Sequence, residues 1–302
     1  MKKELYDVVI IGGGPGGYSA ALYCARNGYS VLVLEKLSAG GQMATTGQVD
    51  NYPGFDEGID GFELAEKMQR GAERFGVETE YAEVNSVDLS PANKKITTSS
   101  GIVSARSVIV ATGASPRELG LPEESSLRGR GVAYCAACDG QMYRSKTVAI
   151  AGGGNSAAAD ALLLSKICAK VYLVHRRDSL RASRIYMEPL KNSEFVWDSK
   201  ITEILHDKRV SGIRVENVKD KTTREIPVDG VFVAIGRVPD TGLFKGQLDL
   251  DPHGYIIADE STRTNIEGVF AVGDVRTKAL RQIVTAAADG ANASHYVEEY
   301  LM

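Results

Sequence analysis

Tyr6-Asp7-Val8-Val9-Ile10-Ile11-Gly12-Gly13-Gly14-Pro15-Gly16-Gly17 is an apolar run that ends in a glycine turn. The run reads as a buried parallel strand, and the turn matches GxGxxG at Gly12, Gly14 and Gly17. A helical stretch, Tyr18 to Asn27, follows Pro15 and the last glycine. Gly28 ends it, and Ser30 to Leu34 forms a second apolar strand finishing at Glu35. Each part has a mechanical use. The first glycine permits a tight turn, the second lets a pyrophosphate approach the backbone, and the third brings helix and strand together. The helix N-terminus offers unpaired N–H groups and a positive dipole end. Glu35 is placed to accept hydrogen bonds from a ribose hydroxyl.

The same unit recurs in mid-chain. Thr147 to Ala151 reads as a strand, Gly152-Gly153-Gly154-Asn155-Ser156-Ala157 matches GxGxxA, Ala158 to Ser165 continues as helix, and Val171 to Val174 is the returning strand. Gly154, Asn155 and Ser156 lie at the phosphate end of that loop. His175 stands as far from Gly152 as Glu35 stands from Gly12, so a basic run replaces the acid: His175-Arg176-Arg177, with Arg181 and Arg184 close behind. A carboxylate there would repel a ribose 2′-phosphate, whereas guanidinium groups pair with it. One such pair at about 4 Å and an effective dielectric near 20 is worth a few kcal/mol before desolvation. The competing reading is a solvated basic helix start. The expected fold is α/β, with two Rossmann-like domains. The first loop suits FAD and the second NADPH.

Four cysteines are too few for a disulfide framework. Cys24 and Cys168 fall in the helical patterns after the two loops and read as buried small side chains. Cys135-Ala136-Ala137-Cys138 lies just before the second loop. A redox dithiol, a metal site and inert thiols all fit a CxxC. A zinc site needs a second ligand pair that the chain lacks, so no metal is expected. Asp139 adjoins Cys138 and is the natural general acid/base, with a plain turn residue as the alternative.

A chain of 302 residues has room for two domains. A net charge of −4 gives no basic footprint for nucleic acid or an acidic membrane. The start, MKKELYDVVIIGGG, has too short an apolar run for a signal peptide. No run of eighteen apolar residues exists to span a membrane. The expected location is the cytoplasm.

With these pieces placed, nearly the whole chain resembles the low-molecular-weight thioredoxin reductases of bacteria. Gly40 to Phe55 is similar to that family's flavin-covering loop, and Ala111-Thr112-Gly113 to its crossover. Cys135-Ala136-Ala137-Cys138-Asp139-Gly140 resembles its dithiol motif, and His175-Arg176-Arg177-x-x-x-Arg181 its NADPH motif. Ala234-Ile235-Gly236-Arg237-x-Pro239 resembles its return linker. Gly268 to Asp274 is similar to the second flavin motif, and Arg281-Gln282-Ile283 to the opening of the closing helix. The resemblance implies that Lys36, Gly41, Gln42, Asn51, Ala111, Thr112, Gly113, Gly273, Asp274, Arg281, Gln282 and Ile283 join the first loop around FAD. It adds Ile235, Gly236 and Arg237 to the NADPH site. Two departures stand out: Ala159 where relatives often carry an acid, and Ala137 where Thr is common.

The flavin motifs lie at both ends of the chain. The expected domains are therefore 1–115 with 242–302, and an inserted 116–241 carrying the NADPH loop and the dithiol. The stretch from Arg184 to Gly236 is expected to add antiparallel strands to the inserted domain. The resemblance implies NADPH-dependent reduction of thioredoxin or a similar protein through FAD and the dithiol, with either cysteine open as the attacking thiol. It also implies a homodimer, and rotation of the inserted domain about hinges near Gly113–Ser115 and Gly236–Thr241. Three rivals remain: a flavin oxidase acting on a small dithiol, a ferredoxin-dependent reductase, and a flavin-binding redox sensor. The first two have no use for the arginines after Val174.

Overall fold

Val8, Val9 and Ile10 are fully buried in the computed structural model, which describes residues 5–46, 48–90, 94–182, 190 and 193–302. The expected contribution of Arg184 lies outside the described residues. The chain divides into two units, Met1–Ser115 with Val238–Met302, and Pro116–Arg237.

In the first unit the strands run in the order Glu78–Tyr81, Val31–Glu35, Leu5–Ile11, Gly101–Val110, Lys94–Thr98, Val84–Asp88. The first four are parallel to one another, and Val269–Ala271 pairs in parallel with the end of Gly101–Val110. The last two strands are antiparallel additions. Apolar clusters cover the central strands on both faces, which is why their sequences are continuous apolar runs rather than alternating ones. Burying each Val or Ile stabilises by about 1.5–3 kcal/mol before entropy is charged. Helix Pro15–Arg26 takes proline at its first position, where the missing N–H costs nothing. Helix Ile283–Leu301 crosses it closely, because a β-carbon on Gly290 would stand 2.4 Å from Gly16 O and 2.6 Å from Ala20 N.

The second unit holds five parallel strands in the order Val132–Ala133, Gly230–Ala234, Thr147–Gly152, Lys170–Val174, Glu194–Val196. A separate antiparallel sheet joins Ser199–His206, Val210–Asn217 and Thr223–Pro227. The stretch before Gly236 is thus antiparallel only in part. Gly230–Ala234 and Glu194–Val196 enter the parallel sheet instead, since the run Val231-Phe232-Val233 is buried on both sides.

Three further positions differ from the sequence reading. The second cut between units falls at Arg237/Val238, before the expected Thr241/Gly242, because Asp240 N–H donates to Gly113 O and Thr241 Oγ1 to Gly254 O inside the first unit. The closing helix begins at Ile283 rather than Arg281, since Gln282 caps it in a reciprocal bond pair with Thr285. Cys168 lies just past helix Asn155–Ser165 and donates its N–H to Leu164 O.

Candidate functional site

The first glycine loop divides by use. A β-carbon on Gly12 would meet Ala111 O at 2.4 Å, and one on Gly17 would meet Gly12 O at 2.1 Å. Those two positions bring backbone against backbone. Gly14, the N-cap of helix Pro15–Arg26, faces open space. The open side lies where the helix's unpaired N–H groups point, as a pyrophosphate requires. Glu35 closes the far side: its Oε2 accepts from Gly13 N–H at 2.7 Å and its Oε1 from Lys36 N–H at 2.8 Å. The Lys36 ammonium turns away to Glu83.

The other residues expected near a flavin also belong to the first unit. Gly41 and Gln42 open the short helix Gly41–Thr45. Asn51 lies on an open cleft of ≈ 580 Å³ along Asp50 to Asp56, and its amide donates to Gln282 Oε1 at 3.0 Å. Ala111 N–H donates to Ile11 O, and Thr112 Oγ1 donates to Asp240 O at 2.6 Å. Gly113 has φ +72 and Gly273 has φ +73. Asp274 is half-buried in the turn that follows Val269–Ala271. Arg281 stacks 4.1 Å over Tyr255 and donates to Arg276 O, and Ile283 opens the last helix.

Sequence reasoning missed the group that holds this turn. The buried carboxylate of Asp289 accepts from Gly273 N–H at 2.8 Å, from Arg276 Nε at 3.0 Å, from the other end of that guanidinium at 2.7 Å, and from Lys278 Nζ at 2.8 Å. Burial alone would push the Asp289 carboxyl up, but the bonds to Arg276 and Lys278 outweigh it and hold it below the usual carboxylate range. The signal available in sequence was a lone acid on the inward face of an otherwise apolar helix, which rarely stays charged unless paired.

The second loop repeats the pattern. A β-carbon on Gly152 would meet Ala234 O at 2.5 Å, while Gly154, the N-cap of helix Asn155–Ser165, faces open space. Asn155 and Ser156 open that helix with exposed side chains. His175 lies over Gly153 as Glu35 lies over Gly13. Its ring is 7% exposed and lies on Gly153, where a β-carbon would meet the imidazole at 2.2 Å. Its Nε2 has no partner among the described residues. Burial, then the charges of Arg177, Arg181 and Arg176, hold the imidazole below its ordinary value, so it is neutral near pH 7. The three arginines are exposed, and Arg181 N–H donates to Gly153 O at 2.8 Å. At the far end of the unit, Ile235 is exposed, Gly236 O accepts from Arg117 N–H, and Arg237 begins strand Arg237–Pro239.

Cys135 and Cys138 are joined as a disulfide, with Cα atoms 5.3 Å apart. Cys135 caps the short helix Ala136–Asp139, and its Sγ accepts from Cys138 N–H at 3.2 Å. Burial pushes the Asp139 carboxyl up to about 6, so near neutral pH it exchanges protons readily. Asp160 in helix Asn155–Ser165 is also pushed up to about 6 by burial, against the opposing charge of Arg237. The remaining thiols are shielded: burial raises Cys24 to about 12 and Cys168 to about 11. Among the described residues no cluster of His, Cys, Asp or Glu is arranged for a metal ion.

Comparison with known proteins identifies the family. The family described as pyridine nucleotide-disulphide oxidoreductase matches residues 6–290. A thioredoxin reductase of Streptomyces coelicolor is 46% identical over 99% of this chain and 95% of its own length. One from Listeria monocytogenes is 44% identical over 99% and 96%. The crystal structure of thioredoxin reductase from Streptococcus pyogenes superposes with a TM-score of 0.91, at 43% identity over 99% of both chains. The chain is a member of the pyridine nucleotide-disulphide oxidoreductase family, among its low-molecular-weight thioredoxin reductases.

Proposed function

We propose that this protein is an NADPH-dependent thioredoxin-disulfide reductase that uses FAD and the Cys135–Cys138 couple. The observation that carries the reading is the Cys135–Cys138 disulfide beside a buried acid, in a chain with two glycine loops each open at its middle phosphate position. Membership of the family brings a flavin and a nicotinamide nucleotide to such loops. We assign Gly12, Gly14, Pro15, Gly17 and Glu35 to the ADP half of FAD, with Gly273, Asp274 and the N-terminus of helix Ile283–Leu301 toward the flavin half. A helix N-terminus favours negative charge on whatever it faces. Gly154, Asn155, Ser156 and Arg176, Arg177 and Arg181 take NADPH, the guanidinium groups pairing with its 2′-phosphate.

Bound FAD supplies the two-electron relay from NADPH to the disulfide. Opening the Cys135–Cys138 bond takes two electrons and leaves two sulfurs that need protons. Asp139 adjoins Cys138, and a carboxyl titrating near 6 can give or hold the proton at Cys138 Sγ. One thiolate then attacks the disulfide of thioredoxin or a similar protein, forming a mixed disulfide. The second thiolate resolves it, restoring the Cys135–Cys138 bond and releasing a dithiol partner. The same reading takes the enzyme to be a cytoplasmic homodimer; no helix among the described residues is long and apolar enough to cross a membrane.

NADPH oxidation with and without a thioredoxin tests this, beside Cys138→Ser. The expected result is fast thioredoxin-dependent oxidation that the substitution abolishes. If NADPH fails to bleach the flavin, the arginine assignment is wrong and another electron donor or an oxidase reaction takes its place.

A further inference from the structure

Glu124 is a buried carboxylate, 1% exposed, that no step above uses. Its Oε1 accepts from Leu119 N–H at 2.9 Å and from Tyr134 Oη at 2.8 Å. Its Oε2 accepts from Gly120 N–H at 2.9 Å and from Leu121 N–H at 3.4 Å. Four donors converge on one carboxylate, three from the loop just after Arg117 and one from the residue immediately before Cys135. Arg128 closes the other side of Tyr134, its guanidinium 4.8 Å over the ring while it pairs with Glu118. Arg117 is itself tied, its N–H donating to Gly236 O at 2.9 Å.

We propose that Glu124 and Tyr134 are positioning residues for the dithiol, the carboxylate holding Tyr134, and through it the backbone of Cys135, in the place from which the Cys135–Cys138 bond closes. The inference rests on the redox reading of these cysteines given above.

The two cysteines are held from opposite sides. Cys138 sits in the short helix Ala136–Asp139, whose following residue, Gly140, packs so closely that a β-carbon would lie 3.1 Å from Leu164 Cδ2. Cys135 precedes that helix in extended conformation, φ −144 and ψ 105, and its N-terminal neighbour is Tyr134. A short strand, Val132–Ala133, precedes Tyr134; Val132 pairs with Val231 on one side and bonds to Leu127 and Gly129 on the other, and the strand pairing ends at Ala133. The phenol–carboxylate bond is therefore the side-chain anchor nearest Cys135 on that side. In the closed form the disulfide itself limits the motion of Cys135. In the open form only the flanking anchors do, and they set how often the two sulfurs meet. Loosening an anchor adds conformations to the dithiol state and few to the disulfide state, so the equilibrium moves toward the dithiol.

The test equilibrates the holoenzyme in graded ratios of reduced to oxidised dithiothreitol, traps thiols with a maleimide and counts them by mass. In each exchange dithiothreitol gives two electrons and two protons to the Cys135–Cys138 bond and closes to its own cyclic disulfide. Tyr134→Phe removes one hydroxyl and leaves Glu124 its three backbone donors. It is expected to reach half-reduction at a ratio of reduced to oxidised reagent about tenfold lower than wild type, about 30 mV by the two-electron relation. Glu124→Gln is expected to shift the same way, and the double variant no further than the larger single shift, because both act through one bond. Midpoints within twofold of wild type in Tyr134→Phe overturn the inference, including when its melting temperature falls, since a purely structural bond would lower stability without moving the midpoint. If Glu124→Gln does not fold, Tyr134→Phe decides alone. If the wild-type cysteines show no reversible two-electron titration, the redox reading itself fails and this inference falls with it.

Discussion

Gly14→Ala separates what the first glycine loop does for the fold from what it does for a ligand. In the protein alone the new methyl meets nothing within 4 Å, and the backbone at φ −79, ψ −177 suits any residue. Alanine is a poorer N-cap than glycine by roughly 0.5–1 kcal/mol, but it removes about as much unfolded-state entropy. The flavin-free protein should keep its stability to within about 1 kcal/mol. FAD meets a different situation, because the methyl stands where a pyrophosphate must approach the loop. Losing two charge-assisted bonds of about 1.5–3 kcal/mol each lowers affinity at least a hundredfold at 1.4 kcal/mol per decade. Gly17→Ala is the contrasting variant. Its β-carbon would lie 2.1 Å from Gly12 O, so the first strand and helix must part by more than 1 Å against backbone that cannot rotate away. Helix propensity returns only about 1 kcal/mol, while overpacking costs about 1–3 kcal/mol or more. The assay is the flavin-to-protein absorbance ratio, with melting temperature measured before and after adding FAD. Gly14→Ala should melt like flavin-free wild type and gain little from FAD, and Gly17→Ala should melt lower in both conditions. A Gly14→Ala protein that purifies with full flavin and wild-type affinity would refute the placement of a pyrophosphate over this glycine.

Replacing Arg176, Arg177 and Arg181 with Gln should raise KM for NADPH by about tenfold to a thousandfold, at roughly 1.4 kcal/mol per decade, and leave KM for NADH nearly unchanged; equal losses for both nucleotides would remove the 2′-phosphate assignment. The Asp139 carboxyl is pushed up to about 6 from an ordinary 3.8 by burial, so its contribution favours the fold below pH 4 and is lost as pH rises through 6. Asp139→Asn should flatten this part of the denaturation midpoint against pH by at most about 3 kcal/mol, and Asp160 should retain a similar slope of its own; an unchanged profile would show that Asp139 is not held up by burial. Asp289→Asn leaves Lys278 buried without its counter-charge and Arg276 with only the exposed Glu260, which should cost about 3–5 kcal/mol and loosen Gly273; urea unfolding and flavin retention measure both, and a loss below about 1 kcal/mol would mean that the network relaxes around the change.

Both glycine loops, the strands that feed them and the helices that follow were legible in the chain, because each follows from backbone rules acting over a few residues. A glycine that must pass under another backbone, a proline at a first helical position and an apolar run covered on both faces all leave local marks. So did the dithiol, through its short spacing, and the basic run after Val174, through its register against Glu35. Tertiary packing decided the rest. It buried the His175 ring against Gly153, at the place where the matching Glu35 carboxylate bonds Gly13 N–H. It placed Asp289 beneath Gly273, Asp240 against Thr112, and Glu124 between Leu119 and Tyr134. The first two pairings join segments brought together by strand order and helix crossing, and Glu124 meets its partners through the fold of a single loop. A buried carboxylate leaves no periodic trace in sequence; its partners are chosen by the three-dimensional need to satisfy every charge withdrawn from water.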